Sequence, residues 1–312
     1  LVGSSVNWHV PTRREEEEPM TEADRRSLVA VPLVVLLGAG LAVAGSQGGA
    51  TVGGVGVFAV AVAVAFVIQW MVFVPSFLAR TERFFDLTGG ATYILVTMGV
   101  LLLSGGWDAR RVLLGALVLV WAARLGTFLF GRVSRAGADD RFDEIKGSFP
   151  RFLAVWTIQG LWVSMTAAAA WIAMSSSRQV GIDAFAVIGF LLWAAGFAIE
   201  VVADRQKSRF RADPAHRGRF ISTGLWSRSR HPNYFGEILL WVGVAVIALP
   251  VLEGWQGIGL GSPVFVTVLL LRVSGVPLLE AKADAKWGGQ PDYEEYKRTT
   301  PVLVPRLRGR AA

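Results

Sequence analysis

Long uncharged runs alternate along this chain with short, mostly basic connectors. Eight apolar segments stand out: Leu28–Ala44, Val55–Leu78, Ala91–Leu103, Val112–Phe130, Phe152–Met174, Ala184–Ala203, Phe235–Val251 and Val264–Leu279. The longer ones can cross about 30 Å of hydrocarbon at 1.5 Å per residue, and most carry no charge in their middles. Lipid leaves helices and closed barrels as the two ways to satisfy a spanning backbone, and segments of this length favour helices. The pattern therefore predicts an all-α polytopic transmembrane bundle of seven to eight spans. The third segment is short for a full crossing. The last is interrupted by Arg272, Gly275 and Pro277, which predicts a kinked or partly interfacial helix.

The Gly-rich stretch Gly45 to Gly56 predicts a tight hairpin between the first two spans. No internal repeat and no second domain stand out, so residues 20–312 read as one membrane domain. Residues 1–19 contain the acidic run Glu15 to Glu18 and no apolar periodicity; they read as a disordered or non-native extension, with Met20 as the expected start of translation. The first apolar stretch lacks a convincing cleavage site and is followed by further spans, which argues against a secretory signal peptide.

Composition supports the membrane reading, with 53% hydrophobic residues and 18% charged at a mean hydropathy of +0.48, too apolar for an ordinary soluble chain. The net charge of +7 is spread over loops beside spans, which points to membrane lipids rather than nucleic acid. If the N-terminus is cytoplasmic, the loops on that side hold Arg80, Arg83, Arg132, Arg135, Arg141, Lys146, Arg151 and the eight cations between Asp204 and His231, against only Arg110, Arg111 and Arg178 opposite. Positive residues stay inside, so both termini are expected in the cytoplasm. The absence of cysteine excludes disulfides, thiolate metal sites and a cysteine nucleophile, and three histidines argue against a multi-histidine metal centre.

Ionisable residues within spans are costly and are usually functional or paired. Arg124 lies inside the fourth segment, Glu200 and Asp204 sit four apart on one helical face, Glu237 opens the seventh segment and Arg272 interrupts the eighth. Interhelical salt bridges are the plain alternative for each, and interhelical hydrogen bonds for Gln69 and Gln159. The connector Asp204 to His231 is followed by Arg230-His231-Pro232-Asn233-Tyr234-Phe235-Gly236-Glu237. Arginine supplies forked donors, Trp226 a stacking face, Pro232 a fixed φ, and Asn233 a cap at a helix start that attracts anions. Tyr293 and Tyr296 are three apart in the tail and can present one face, either as a lid or as an ordinary amphipathic helix.

These residues, with Asp204, Arg211, Tyr296 and Pro305, resemble the C-terminal half of the steroid 5-alpha-reductases. From about Arg83 the chain also resembles their uncharacterised bacterial relatives, through Trp121-x-x-Arg124-Leu125 and Asp140-Arg141-Phe142. The resemblance implies a helical fold in the bacterial inner membrane that holds NADPH from the cytoplasmic side, with 200–305 as the cofactor-binding half. By matching positions, Asp204 and Arg211 would contact the nucleotide, Gly224 would lie in the covering loop, Asn233 and Glu237 would hold the nicotinamide amide, and Tyr296 would close the adenosine end. Arg230, His231 and Arg298 complete the expected cofactor-binding set. The implied chemistry is hydride transfer to an activated carbon-carbon double bond of a lipid-soluble, steroid-like, enone or enoyl substrate, with no obligate protein partner. The family's tyrosine three residues before the matching arginine is Trp121 here, and no Gln-Glu pair stands in the second or third span. Tyr93 and Arg124 are then the catalytic candidates for polarising a carbonyl. The Arg-His-Pro-x-Tyr-x-Gly pattern is similar also to integral membrane methyltransferases that use S-adenosylmethionine, and a non-enzymatic lipid-binding protein is a third reading.

Overall fold

The computed structural model describes residues 20–136 and 142–306; the extension 1–19 and the pair Asp140-Arg141 lie outside the described residues. Among the described residues ten α-helices follow one another: α1 Glu22–Gly45, α2 Val57–Leu78, α3 Phe85–Leu103, α4 Ala109–Ala136, α5 Phe149–Ser175, α6 Ala184–Ala212, α7 Pro232–Ala248, α8 Ser262–Val268, α9 Val276–Trp287 and α10 Pro291–Thr299. The strands β1 Thr51–Val52 and β2 Val55–Gly56 form the hairpin between α1 and α2. Among the described residues, seven helical stretches are long and apolar enough to cross a membrane, and α4 runs 28 residues beside them, packed on α3 and α5. The protein is an all-α membrane bundle.

Two segments differ in length or shape from a plain apolar run. α3 begins at Phe85 and spans 19 residues, longer than the apolar stretch Ala91–Leu103. Its polar first turns are buried instead of exposed: Gln159 of α5 donates to the Phe85 carbonyl at 3.1 Å, and Gly90 faces the backbone of Gly126 on α4. Small residues let helix backbones meet, so polarity there marks an interhelical contact. The last span is broken as expected. After α8, Leu269–Val273 widens into a π turn, Ser274 N–H reaching back to the Leu269 carbonyl, and α9 restarts after Gly275 with Pro277 in its first turn. A side chain on Gly275 would run into the Leu270 carbonyl and the Tyr234 ring.

The core runs along α5, where Ala167 to Ala170 and Trp171 are fully enclosed. At the end opposite the long basic connector, Arg110 is buried and donates to the carbonyls of Val180, Gly181 and Ile247 while pairing with Asp183 at 2.6 Å. Arg111 donates to Ser104 and Ser176 carbonyls at 3.0 and 2.7 Å. These two cations therefore tie helix ends together, where the carbonyl-rich helix terminus favours positive charge. Gln69 donates to Thr92 at 2.8 Å, an interhelical bond of the expected kind.

α6 and α7 form the closest helix pair. Gly189 and Gly196 face Gly243 and Gly236, and a Cβ on any of the four would strike backbone of the other helix. That close approach fixes which residues of the two helices become neighbours near the basic connector.

Candidate functional site

Glu200 lies one turn beyond Gly196, and Glu237 directly follows Gly236, so the glycine contact brings both acids into the same part of the bundle. Arg124 of α4 reaches across and pairs with Glu200 through Nη1 and with Asp204 through Nη2. The three side chains are 18%, 5% and 12% exposed. Glu237 is close enough to Arg124 and Asp204 to feel both charges. Among the described residues, Glu200 Oε2 and Asn233 Oδ1 are buried with no hydrogen-bond partner.

The stripe continues along α6. Glu200, Asp204, Lys207 and Arg211 follow one another at intervals of four, three and four residues, which keeps them on one helical face. Lys207 and Arg211 line a cavity of about 310 Å³. Its other cations are Arg219 and Arg230 from the connector, Lys282 and Lys286 from α9, and Lys297 from α10; Glu280 is the one acid in its wall. Glu280 Oε2 pairs with Arg230 at 2.9 Å, and Oε1 lies 2.9 Å from His231 Nε2. The histidine ring stacks on Tyr234, 5.5 Å between centroids.

Aromatic rings and a strap of tail hold the cavity together. Phe220 packs against Tyr293 and Tyr296, each 5.3 Å away, and against Trp287 at 6.0 Å. Tyr296 OH donates to the Trp226 carbonyl at 2.8 Å, and the Trp226 indole N–H donates to the Ala203 carbonyl at 3.1 Å, under the Lys207 ammonium. Burial pushes the Tyr296 phenol above its ordinary value, so it stays a donor at neutral pH. Tyr293 is also pushed up, first by burial and then by the Asp284 carboxylate, to which its hydroxyl donates a hydrogen bond at 2.7 Å. Beyond α10 the chain turns back along the opening of α7: Arg230 and His231 donate to the carbonyls of Pro301 and Val302 at 2.9 and 3.1 Å, and Arg306 to that of Arg228 at 3.0 Å.

Of the residues singled out by sequence, Arg211, Arg230, His231 and Tyr296 line this cavity, and Asp204, Glu237 and Arg124 form the adjoining ion cluster. Gly224 turns with φ +62° above Gln206, whose side chain accepts from Leu225 N–H at 2.9 Å. Arg298 is 72% exposed and pairs with Glu295 at 2.6 Å, on the face of α10 away from the cavity wall. Tyr93 is enclosed between α3 and α4, edge-on to Trp121 at 5.0 Å, and Trp121 is edge-on to Trp241 at 4.9 Å. The Tyr93 hydroxyl faces Thr166 of α5, and the Trp121 indole has no hydrogen-bond partner among the described residues. Sequence reasoning passed over Glu280, Lys282 and Lys286 as site residues. The available signal was Glu280 itself, a lone acid following the apolar Pro277-Leu278-Leu279.

The apolar spans make this an integral membrane protein, and the basic, aromatic-walled cavity lies where the end of α6, the connector, α9 and α10 meet. The chain belongs to the family described as "Protein of unknown function (DUF1295)", whose model matches residues 72–300. It is similar to an uncharacterized protein of Schizosaccharomyces pombe, 26% identical over 64% of this chain and 64% of the relative. It is similar also to a steroid 5-alpha-reductase of Arabidopsis thaliana, 29% identical over 38% of this chain and 40% of the relative. A 3-oxo-5-alpha-steroid 4-dehydrogenase 1 of Macaca fascicularis is 34% identical over 39% of this chain and 41% of its own length. The chain thus spans less than two thirds of each of these relatives, and no solved structure matches it. These similarities make it a steroid 5-alpha-reductase-like membrane protein.

Proposed function

We propose that this protein is a membrane-embedded, NADPH-dependent reductase that transfers hydride to an activated carbon-carbon double bond of a lipid-soluble substrate. The observation that carries the reading is the cavity, where seven cations against one acid meet stacking surfaces from Phe220, Trp226, Trp287 and Tyr296. Such a wall suits the phosphates and flat ring of a dinucleotide phosphate. It suits S-adenosylmethionine poorly, since that molecule has no phosphate and carries a positive sulfonium. At about 310 Å³ the cavity lies at the small end for ligand sites and would take the adenosine-phosphate half.

The residues beyond it fit the other half. Asn233 Oδ1 and Glu200 Oε2 are buried acceptors without partners, and a carboxamide NH2 is a donor that would satisfy such groups. Asn233 and Glu237 would hold that amide, Asp204 and Arg211 the nucleotide, and Tyr296 the adenosine end, with Arg230 and His231 on the phosphates. When bound, the nicotinamide supplies hydride. Arg124, engaged by Glu200 and Asp204, would position those acids, while the buried Tyr93 hydroxyl, beside Thr166, would turn to donate to a substrate carbonyl. With both termini in the cytoplasm, as the loop charges favour, the cavity would open to the cytoplasm and the substrate would come laterally from the bilayer, in a bacterial inner membrane.

Purified full-length protein, titrated with NADPH, NADH and S-adenosylmethionine while its melting temperature is followed, tests the reading. NADPH should stabilise most, and Asn233→Ala and Glu237→Ala should remove that stabilisation while the unliganded protein still melts cooperatively. Stabilisation by S-adenosylmethionine but not NADPH would overturn it in favour of a methyltransferase, and stabilisation by none of the three would favour a lipid-binding role.

A further inference from the structure

The bend between α2 and α3 borders a second cavity, separate from the first. α2 closes with a paired turn in which Arg80 N–H donates to the Phe77 carbonyl at 3.0 Å and Thr81 N–H to the Ser76 carbonyl at 2.9 Å. Arg80 takes φ +49° and is the one non-glycine residue with positive φ among the described residues. Glycine ordinarily holds this position, because a Cβ is strained there. A cation could favour the carbonyl end of α2 equally well from an unstrained neighbouring position. Charge at the helix end therefore does not explain an arginine in this place, and its side chain is kept at a conformational cost.

Arg80, Thr81, Arg83, Phe84 and Lys146 line a cavity of about 470 Å³ that opens to the surface. The acid in its wall, Glu82, is buried and faces Lys146 at 3.4 Å, and Lys146 also pairs with Asp143 at 2.7 Å. Arg80 and Arg83 are exposed and have no ion pair among the described residues. Beside these two guanidinium groups the surface turns apolar: Leu78, Phe84 and Leu87 are 77%, 51% and 45% exposed, at the very ends of two membrane helices.

We propose that this cavity binds the phosphodiester headgroup of an anionic phospholipid, whose acyl chains lie along Leu78, Phe84 and Leu87. Guanidinium forks match phosphate oxygens, and cations next to a span draw anionic lipid. Free phosphate would use the same two arginines but would leave the apolar flank uncovered.

Native mass spectrometry of the full chain in detergent, titrated with phosphatidylglycerol or phosphatidylcholine, tests the site. Phosphatidylglycerol should be retained in preference, and Arg80→Gly and Arg83→Ala should each lower its retention about fivefold. Arg80→Gly should melt no lower than the parent, because glycine relieves the strained turn; should that variant not fold, Arg80→Asn, which tolerates the same backbone, takes its place. Arg25→Ala, which removes an exposed cation of α1, should leave retention unchanged. Equal retention of the two lipids, unchanged retention in the Arg80 and Arg83 variants, or an equal fall with Arg25→Ala would overturn the site. Release of the lipid by millimolar inorganic phosphate would overturn the lipid assignment in favour of a free anion.

Discussion

Replacing Arg124 by methionine keeps most of the side-chain volume and removes the one charge shared by Glu200 and Asp204. An exposed ion pair is worth about 0–1 kcal/mol, but these partners are 5% and 12% exposed, and removing one member of a buried pair costs about 3–5 kcal/mol because charge is left without compensation. The partial exposure of Arg124 itself, 18%, places the expected loss at the lower end, about 3 kcal/mol. On the scale of 2–4 °C per kcal/mol for larger domains, Arg124→Met should melt roughly 6–12 °C below the parent. Removing the three paired charges, as Arg124→Met with Glu200→Leu and Asp204→Leu, should recover most of that loss, since apolar replacement of a buried ion triad is neutral or stabilising, while Glu237 stays in place. Thermal unfolding in detergent, read with and without NADPH, separates the two roles of the cluster. The triple variant should regain its melting temperature yet gain no further stability from NADPH. A single variant that melts within about 2 °C of the parent would refute the energetic argument, and a triple variant stabilised normally by NADPH would refute the cluster's part in binding.

Tyr296→Phe removes the bond to the Trp226 carbonyl; the loss of about 0.5–1.5 kcal/mol should appear as a roughly twofold to thirteenfold weaker NADPH affinity if α10 closes over the ligand, read by equilibrium titration. Gly224→Ala puts a Cβ at φ +62° and against the Gln206 amide, so stability measured in denaturant should fall by about 1–2 kcal/mol. Asp183 is pushed up by burial, but the Ala186 N–H and Arg110 together hold its carboxyl below the usual range. A depressed carboxyl contributes stability above its unfolded value of about 3.9 and loses it as pH falls through the folded value. Melting temperature should therefore drop more steeply below about pH 4 in the parent than in Asp183→Asn, and parallel curves would show that this pairing adds nothing.

The spans were legible because uncharged runs of that length have few other uses, and the break at Gly275 and Pro277 was legible because proline cannot continue a hydrogen-bond ladder. Less visible was the true start of α3. Thr88, Gly89 and Gly90 read as polar and therefore outside, yet they are buried against Gln159 and Gly126, where smallness counts for more than polarity. Arg110 illustrates the same limit: in a loop it looks like a surface cation, but it is 2% exposed and bound to three carbonyls. For the cavity, the connector's cations and the residues from Arg230 onward pointed to a part of the chain that lines it. Glu280, Lys282 and Lys286 complete the wall from about fifty positions further on, and nothing local in their surroundings says which earlier residues they will face. That pairing is set by the tail, whose carbonyls at Pro301 and Val302 accept from Arg230 and His231.

The glycine contact between α6 and α7 ties the ion cluster to the cavity wall. With Gly196 against Gly236, Glu200 and Glu237 share one neighbourhood and neither helix can turn without driving a side chain into backbone. The same register carries Asp204, Lys207 and Arg211 down one face of α6 into the cavity wall, so the ion cluster and the cavity are parts of a single rigid stripe. A change within the stripe is then expected to alter packing and binding together, which is why the Arg124 experiment needs the triple variant without the paired charges to separate them. Lys282 and Lys286 lie outside that constraint, exposed on α9, and their removal can weaken an anionic ligand without disturbing the bundle. Loss of binding on substitution of these two lysines, at an unchanged melting temperature, is therefore the cleanest sign that the cavity itself, and not the stability of the fold around it, recognises phosphate.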